Sequence, residues 1–139
     1  MYIKNEKGAV LSLMLIVILF LIILGTTLVF ISITEVKQVA REEKKLQAYY
    51  IAKSGADVVA AYIINPKNKH NIQNLKGKES DSFILGEGSF VVKVKEDEDN
   101  TDNIIIESKG IVGEVEVSIS LSLIKKGDSY ERGIWQLKR

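Results

Sequence analysis

AVLSLMLIVILFLIILGTTLVFISI, residues 9–33, decides the architecture of this 139-residue chain. Eighteen of its 25 residues are Leu, Ile, Val or Phe, and no charged residue occurs from Gly8 to Thr34. As an α-helix the stretch would be about 37 Å long, against roughly 30 Å for the hydrocarbon core of a bilayer. Each large aliphatic side chain favours insertion by roughly 0.3–0.6 kcal/mol near the bilayer centre. Ser12, Thr26, Thr27 and Ser32 are compatible with that setting, because a hydroxyl can bond back to a carbonyl of the preceding turn. A buried core helix fits poorly, since too little chain remains to enclose a helix that is apolar on every side. A cleaved secretory signal also fits poorly. Its apolar run is shorter and ends in small residues at a cleavage site, whereas Thr34-Glu35-Val36-Lys37 follows here.

Composition narrows the function classes. There is no cysteine, which excludes a disulfide scaffold and a thiolate metal site, and the single histidine excludes a His-rich one. The formal charge of +1 gives no nucleic-acid-binding balance. Orientation by lysine and arginine counting is conflicted. Lys4 and Lys7 precede the span, while Lys37, Arg41, Lys44 and Lys45 follow it, so the rule taken alone puts the C-terminal side inside.

Beyond Thr34 the sequence stays helical in character to Ile64. Val36, Val39, Leu46, Tyr49, Ala52, Ala56, Val59 and Ile63 form an apolar stripe, with Glu43 in its one gap. Asn65-Pro66 ends the helix, because the residue before proline avoids the helical region. One helix through both halves, or two with a hinge near Gly25-Thr26-Thr27, satisfies this pattern. Lys67 to Ser82 reads as a polar loop. The period then changes from 3.6 to 2. Phe90, Val92 and Val94 share a face, as do Ile104 and Ile106, and as do Val115, Val117, Ile119, Leu121 and Leu123. The tail from Tyr130 to Leu137 adds a short last strand, with Trp135 packed on the head. The expected fold is α+β: a long helix, membrane-spanning over 9–33 and amphipathic over 34–65, packed on a small antiparallel sheet within 66–139. So small a sheet needs the helix face to complete its core.

Catalytic patterns are missing. Gly77-Lys78 is not followed by Ser or Thr, so it makes no phosphate loop, and His70 stands alone in a polar segment. Asp97, Asp99 and Asp102, in the acidic run from Glu96, could offer oxygen ligands to calcium, but without the glycine and bidentate glutamate of an EF-hand. A solvated hairpin loop is the stronger reading. No enzyme, cofactor or nucleic-acid partner is expected.

Lys4-Asn5-Glu6-Lys7-Gly8-Ala9-Val10-Leu11 resembles a type IV prepilin leader: short, charged, ending in glycine before an apolar helix. Gln47-Ala48-Tyr49-Tyr50-Ile51-Ala52-Lys53-Ser54-Gly55-Ala56 resembles the A-[FY]-x-x-A-E-[AS]-G segment of PilX-type minor pilins and tip pseudopilins. The resemblance covers residues 4–64 and extends to the head in architecture only. It implies a leader over 1–8, cleavage by a prepilin peptidase between Gly8 and Ala9, and N-methylation of Ala9. It also implies a single-pass protein of the inner or cytoplasmic membrane, with the head extracytoplasmic and on the cell surface after assembly. The partners would be other pilins and pseudopilins. Leu13 falls at mature position five, where most pilins carry glutamate, and Lys53 stands where the family segment has glutamate. The first departure points to a subunit that initiates or caps a pilus, type II secretion or competence filament. The alternative is a plain single-span anchor whose sheet domain binds a ligand or wall component.

Overall fold

The computed structural model describes residues 6–138, apart from the side chains of residues 6, 7 and 69–71. Helix α1 runs Glu6–Ile64, followed by a 3-10 turn (Pro66–Asn71) and a single helical turn, α2 (Ile72–Leu75). Five strands follow: β1 (Phe83–Leu85), β2 (Gly88–Glu96), β3 (Ile104–Val112), β4 (Val115–Lys126) and β5 (Ser129–Lys138). The chain divides within α1 into two compact units, residues 1–40 and 41–139. The α+β class expected from the sequence is the one observed.

In the first unit α1 is unbroken through Gly25-Thr26-Thr27, so no hinge forms there. Every side chain from Gly8 onward in this unit is exposed, and the helix is long and apolar enough to cross a membrane. Its threonine hydroxyls bond back to the helix. Thr26 donates to the carbonyls of Ile22 and Ile23, Thr27 to that of Ile23 at 2.7 Å, and Thr34 to that of Phe30 at 2.9 Å. Each donor is thus satisfied within the helix itself.

In the second unit residues 41–64 of α1 lie on an antiparallel sheet of order β1-β2-β3-β4-β5. Leu85↔Gly88, Val112↔Val115 and Lys126↔Ser129 close three two-residue hairpins. Their first turn residues, Gly86, Gly113 and Gly127, have φ of 62°, 59° and 57°. Glycine reaches that region without strain, and the twist of such turns matches that of the strands. On β4 the alternation read from the sequence holds: Val117, Ile119, Leu121 and Leu123 are buried.

The helix stripe differs from the expected one. The line at the sheet is Ala48, Ala52, Ala56 and Ala60, each fully buried, continued by Ile63. Val36, Val39 and Leu46 are exposed, while Tyr49 and Val59 are half-buried. Small residues win because the backbones approach so closely: a Cβ on Gly110 of β3 would stand 2.0 Å from the Ala48 carbonyl oxygen.

The 67–82 segment is more than a loop. Asn65 caps the 3-10 turn, its side chain accepting from the Lys67 N–H at 3.1 Å, and Ile72 is buried. Residues 76–80 then run along the outer edge of β2. The Gly77 and Ser80 N–H groups donate to the Val94 and Val92 carbonyls at 2.8 Å. At the other side of the sheet β5 is full length, with a bulge where Gly133 and Ile134 oppose Ser122. There the Ile134 N–H donates to the Ser122 hydroxyl at 2.8 Å. Trp135 packs against both core clusters, with Lys53 Nζ 5.6 Å from its ring centre.

Candidate functional site at the start of the long helix

Gly8 and Ala9 lie in the first turn of α1, exposed, and nothing approaches within 4 Å of the place a Gly8 Cβ would take. Ser12 Oγ donates to the Gly8 carbonyl at 3.1 Å and to the Ala9 carbonyl at 3.0 Å. A protease needs the scissile peptide extended. The first turn of a helix, whose leading N–H groups lack intrahelical partners, opens at little cost. Lys4 and Asn5, and the side chains of Glu6 and Lys7, lie outside the described residues. Leu13 is one turn beyond Ala9 and 64% exposed. It offers no charge to an amine, so the described part of this segment carries no anion.

Lys53 and its neighbours belong to the head. Lys53 sits over Trp135, and Asp57, one turn on, pairs with Arg132 of β5 at 2.9 Å. Together they fasten β5 to α1. On the opposite face of the sheet Glu107 is held by Lys95 at 2.7 Å and by Lys138. Burial alone would raise its pKa, but the hydrogen bonds from Lys138 and Lys95 outweigh it and hold the carboxyl below the usual glutamate range.

The acidic run forms the β2–β3 turn. Asp97 Oδ1 accepts from the Asp99 N–H at 3.3 Å, and Asp102 binds Lys125 Nζ at 2.8 Å. The hydrogen bond from Lys125 lowers the pKa of Asp102, and the same bond raises that of Lys125. No three ligating side chains gather into a metal-binding group among the described residues. Asp102, which a calcium site would need, is occupied by a lysine. The side chain of His70 lies outside the described residues.

An apolar groove of about 320 Å³ that the sequence reading missed opens beside β1, lined by residues of α1, α2, β1 and β2. No protein-family model, curated protein or solved structure matches this chain.

Proposed function

We propose that the chain is a minor pilin or pseudopilin, a membrane-anchored subunit that initiates or caps a type IV pilus or a related secretion or competence filament. The observation that carries this reading is the junction at Gly8. A short charged leader ends in glycine directly before a 25-residue uncharged helix, and a plain anchor has no need of that glycine. The Ala48 to Gly55 segment and the helix-on-sheet head support it. On this reading a prepilin peptidase cuts after Gly8, Ala9 is methylated, the head lies outside the membrane, and the partners are other pilins.

Leu13 carries the tip placement. In an apolar filament core an unpaired ammonium is costly. A shaft subunit accepts the charged N-terminus of a neighbour at every repeat, which the family's glutamate neutralises. Leucine does not, and an initiating subunit avoids one such contact because one side of it has no neighbour. Subunit counting in purified filaments by quantitative mass spectrometry is the test. One or a few copies per filament are expected, and copy number equal to the major subunit would end the tip reading. Leu13→Glu should begin to appear along the shaft.

A further inference from the structure

We propose that the β1 edge of the head is a binding site for an extended segment of another protein, apolar at alternate positions and basic at both ends. The segment would join the sheet as a sixth strand. The proposal goes beyond the filament reading and does not depend on it.

The two halves of the outer edge of β2 are treated differently. Residues 76–80 cover the half around Val92 and Val94 with backbone hydrogen bonds, whereas β1 covers the half near the hairpin. Among the described residues no strand pairs with the outer edge of β1. In a two-residue hairpin the pair closing the turn, here Leu85↔Gly88, is hydrogen-bonded, and bonded pairs alternate. Phe83 therefore pairs with β2 by hydrogen bonds, and the N–H and C=O of Ile84 point away from the sheet. Ile84 is 86% exposed. A bare edge that presents an apolar side chain is a template for strand addition.

Strand addition gains affinity from the backbone and selectivity from pockets for alternate side chains. The pocket is present. Between β1 and α1 runs the groove of about 320 Å³, lined by Val58, Tyr62, Leu75, Phe83 and Phe90, with the Phe83 and Phe90 rings stacked at 5.6 Å. An added strand would place every second side chain over it.

Charge identifies the occupant. Asp81 and Glu87 bracket β1, both exposed, and neither has an ion pair among the described residues. A second copy pairing through its own β1 about Ile84 would set Asp81 against Glu87 at both ends, and like charges directly opposite destabilise a strand pair. An anionic lipid surface meets the same repulsion. A strand ending in lysine or arginine meets two free carboxylates.

The full chain in phosphatidylcholine nanodiscs would be titrated with a labelled peptide, acetyl-Lys-Ser-Val-Ser-Val-Ser-Lys-amide, which sets its valines opposite Phe83 and Leu85 on the groove face. Saturable binding is expected. It should weaken by roughly tenfold or more when the terminal lysines become glutamates, and likewise when the serines become prolines that cannot join a ladder. Ile84→Pro should abolish binding while leaving the melting curve unchanged, because the lost N–H faces outward. Asp81→Lys with Glu87→Lys should reverse the preference in favour of the glutamate-ended peptide. Absence of saturable binding, indifference to peptide charge or proline, or unchanged binding by Ile84→Pro would overturn the proposal. So would a disulfide-linked dimer of Ile84→Cys in this cysteine-free chain, which would make a second copy the occupant.

Discussion

Gly110 shows how one residue without a side chain fixes an interface. An added Cβ there would lie 2.0 Å from the Ala48 carbonyl oxygen and 2.7 Å from the Ala52 nitrogen. Both are backbone atoms that cannot turn aside. Gly110→Ala therefore forces α1 off the sheet and should cost about 3 kcal/mol, the upper part of the range for overpacked cores. Urea unfolding of the full chain in detergent would read it, and a loss under about 1 kcal/mol would contradict the close approach. Glu107 is one residue through which pH acts on the head. Its folded pKa is lowered, so its contribution is fully present above the ordinary glutamate value and is lost as pH falls through the lowered folded one. Glu107 is half-buried but its lysine partners are exposed, which limits the effect to about 1 kcal/mol or less. Between neutral and strongly acid pH, the parent should lose that much more stability than Glu107→Gln. A larger loss in Glu107→Gln would reverse the sign and refute the account.

At the scale of elements, the register of α1 on the sheet rests on shape more than on hydrophobicity. Gly55 lies under the Phe90 ring: an added Cβ would stand 2.5 Å from Cδ2. Gly55→Ala should cost about 2 kcal/mol. Phe90→Leu, which removes the ring edge, should recover part of that loss when combined with it, so that the double-mutant cycle shows a coupling of about 1 kcal/mol. Strict additivity would mean that the two do not set the register. Here the limits of sequence reading have a physical cause. The period-2 pattern of β4 was legible because large aliphatics alternate with Ser and Glu. The helix stripe was legible only in part. Periodicity favours bulky residues such as Leu46 and Tyr49, whereas the closest approach, over Gly110, admits only alanine. β1 was missed because Phe83-Ile84-Leu85 does not alternate and owes its strand to the Gly86-Glu87 turn. The repeated Gly-acid pair, Gly86-Glu87, Gly113-Glu114 and Gly127-Asp128, was a signal that would have located all three hairpins. The Asp57–Arg132 pair spans most of the head in sequence and had no local signature. The groove beside β1 is likewise assembled from four separate elements.

For the whole molecule, that α1 is long and apolar enough to cross a membrane was legible from composition alone. Gly8, Ala9 and Leu13 acquire a role only through the family resemblance, because nothing in a helix first turn distinguishes a cleavage point from ordinary backbone. The conflict between the lysine count and the expected topology falls at the same junction. The proposed removal of residues 1–8 would take Lys4 and Lys7 from the leading flank and leave Lys37, Arg41, Lys44 and Lys45 in place, so the topology rests on the resemblance and not on the lysine count. The central claim is that this junction is processed, and the mass of the mature N-terminus tests it most directly. Protein purified from its native membrane should yield an N-terminal peptide that begins at Ala9 and carries one methyl group on the amine. Recovery of the chain with Met1 or the Lys4-to-Lys7 leader intact would contradict the account.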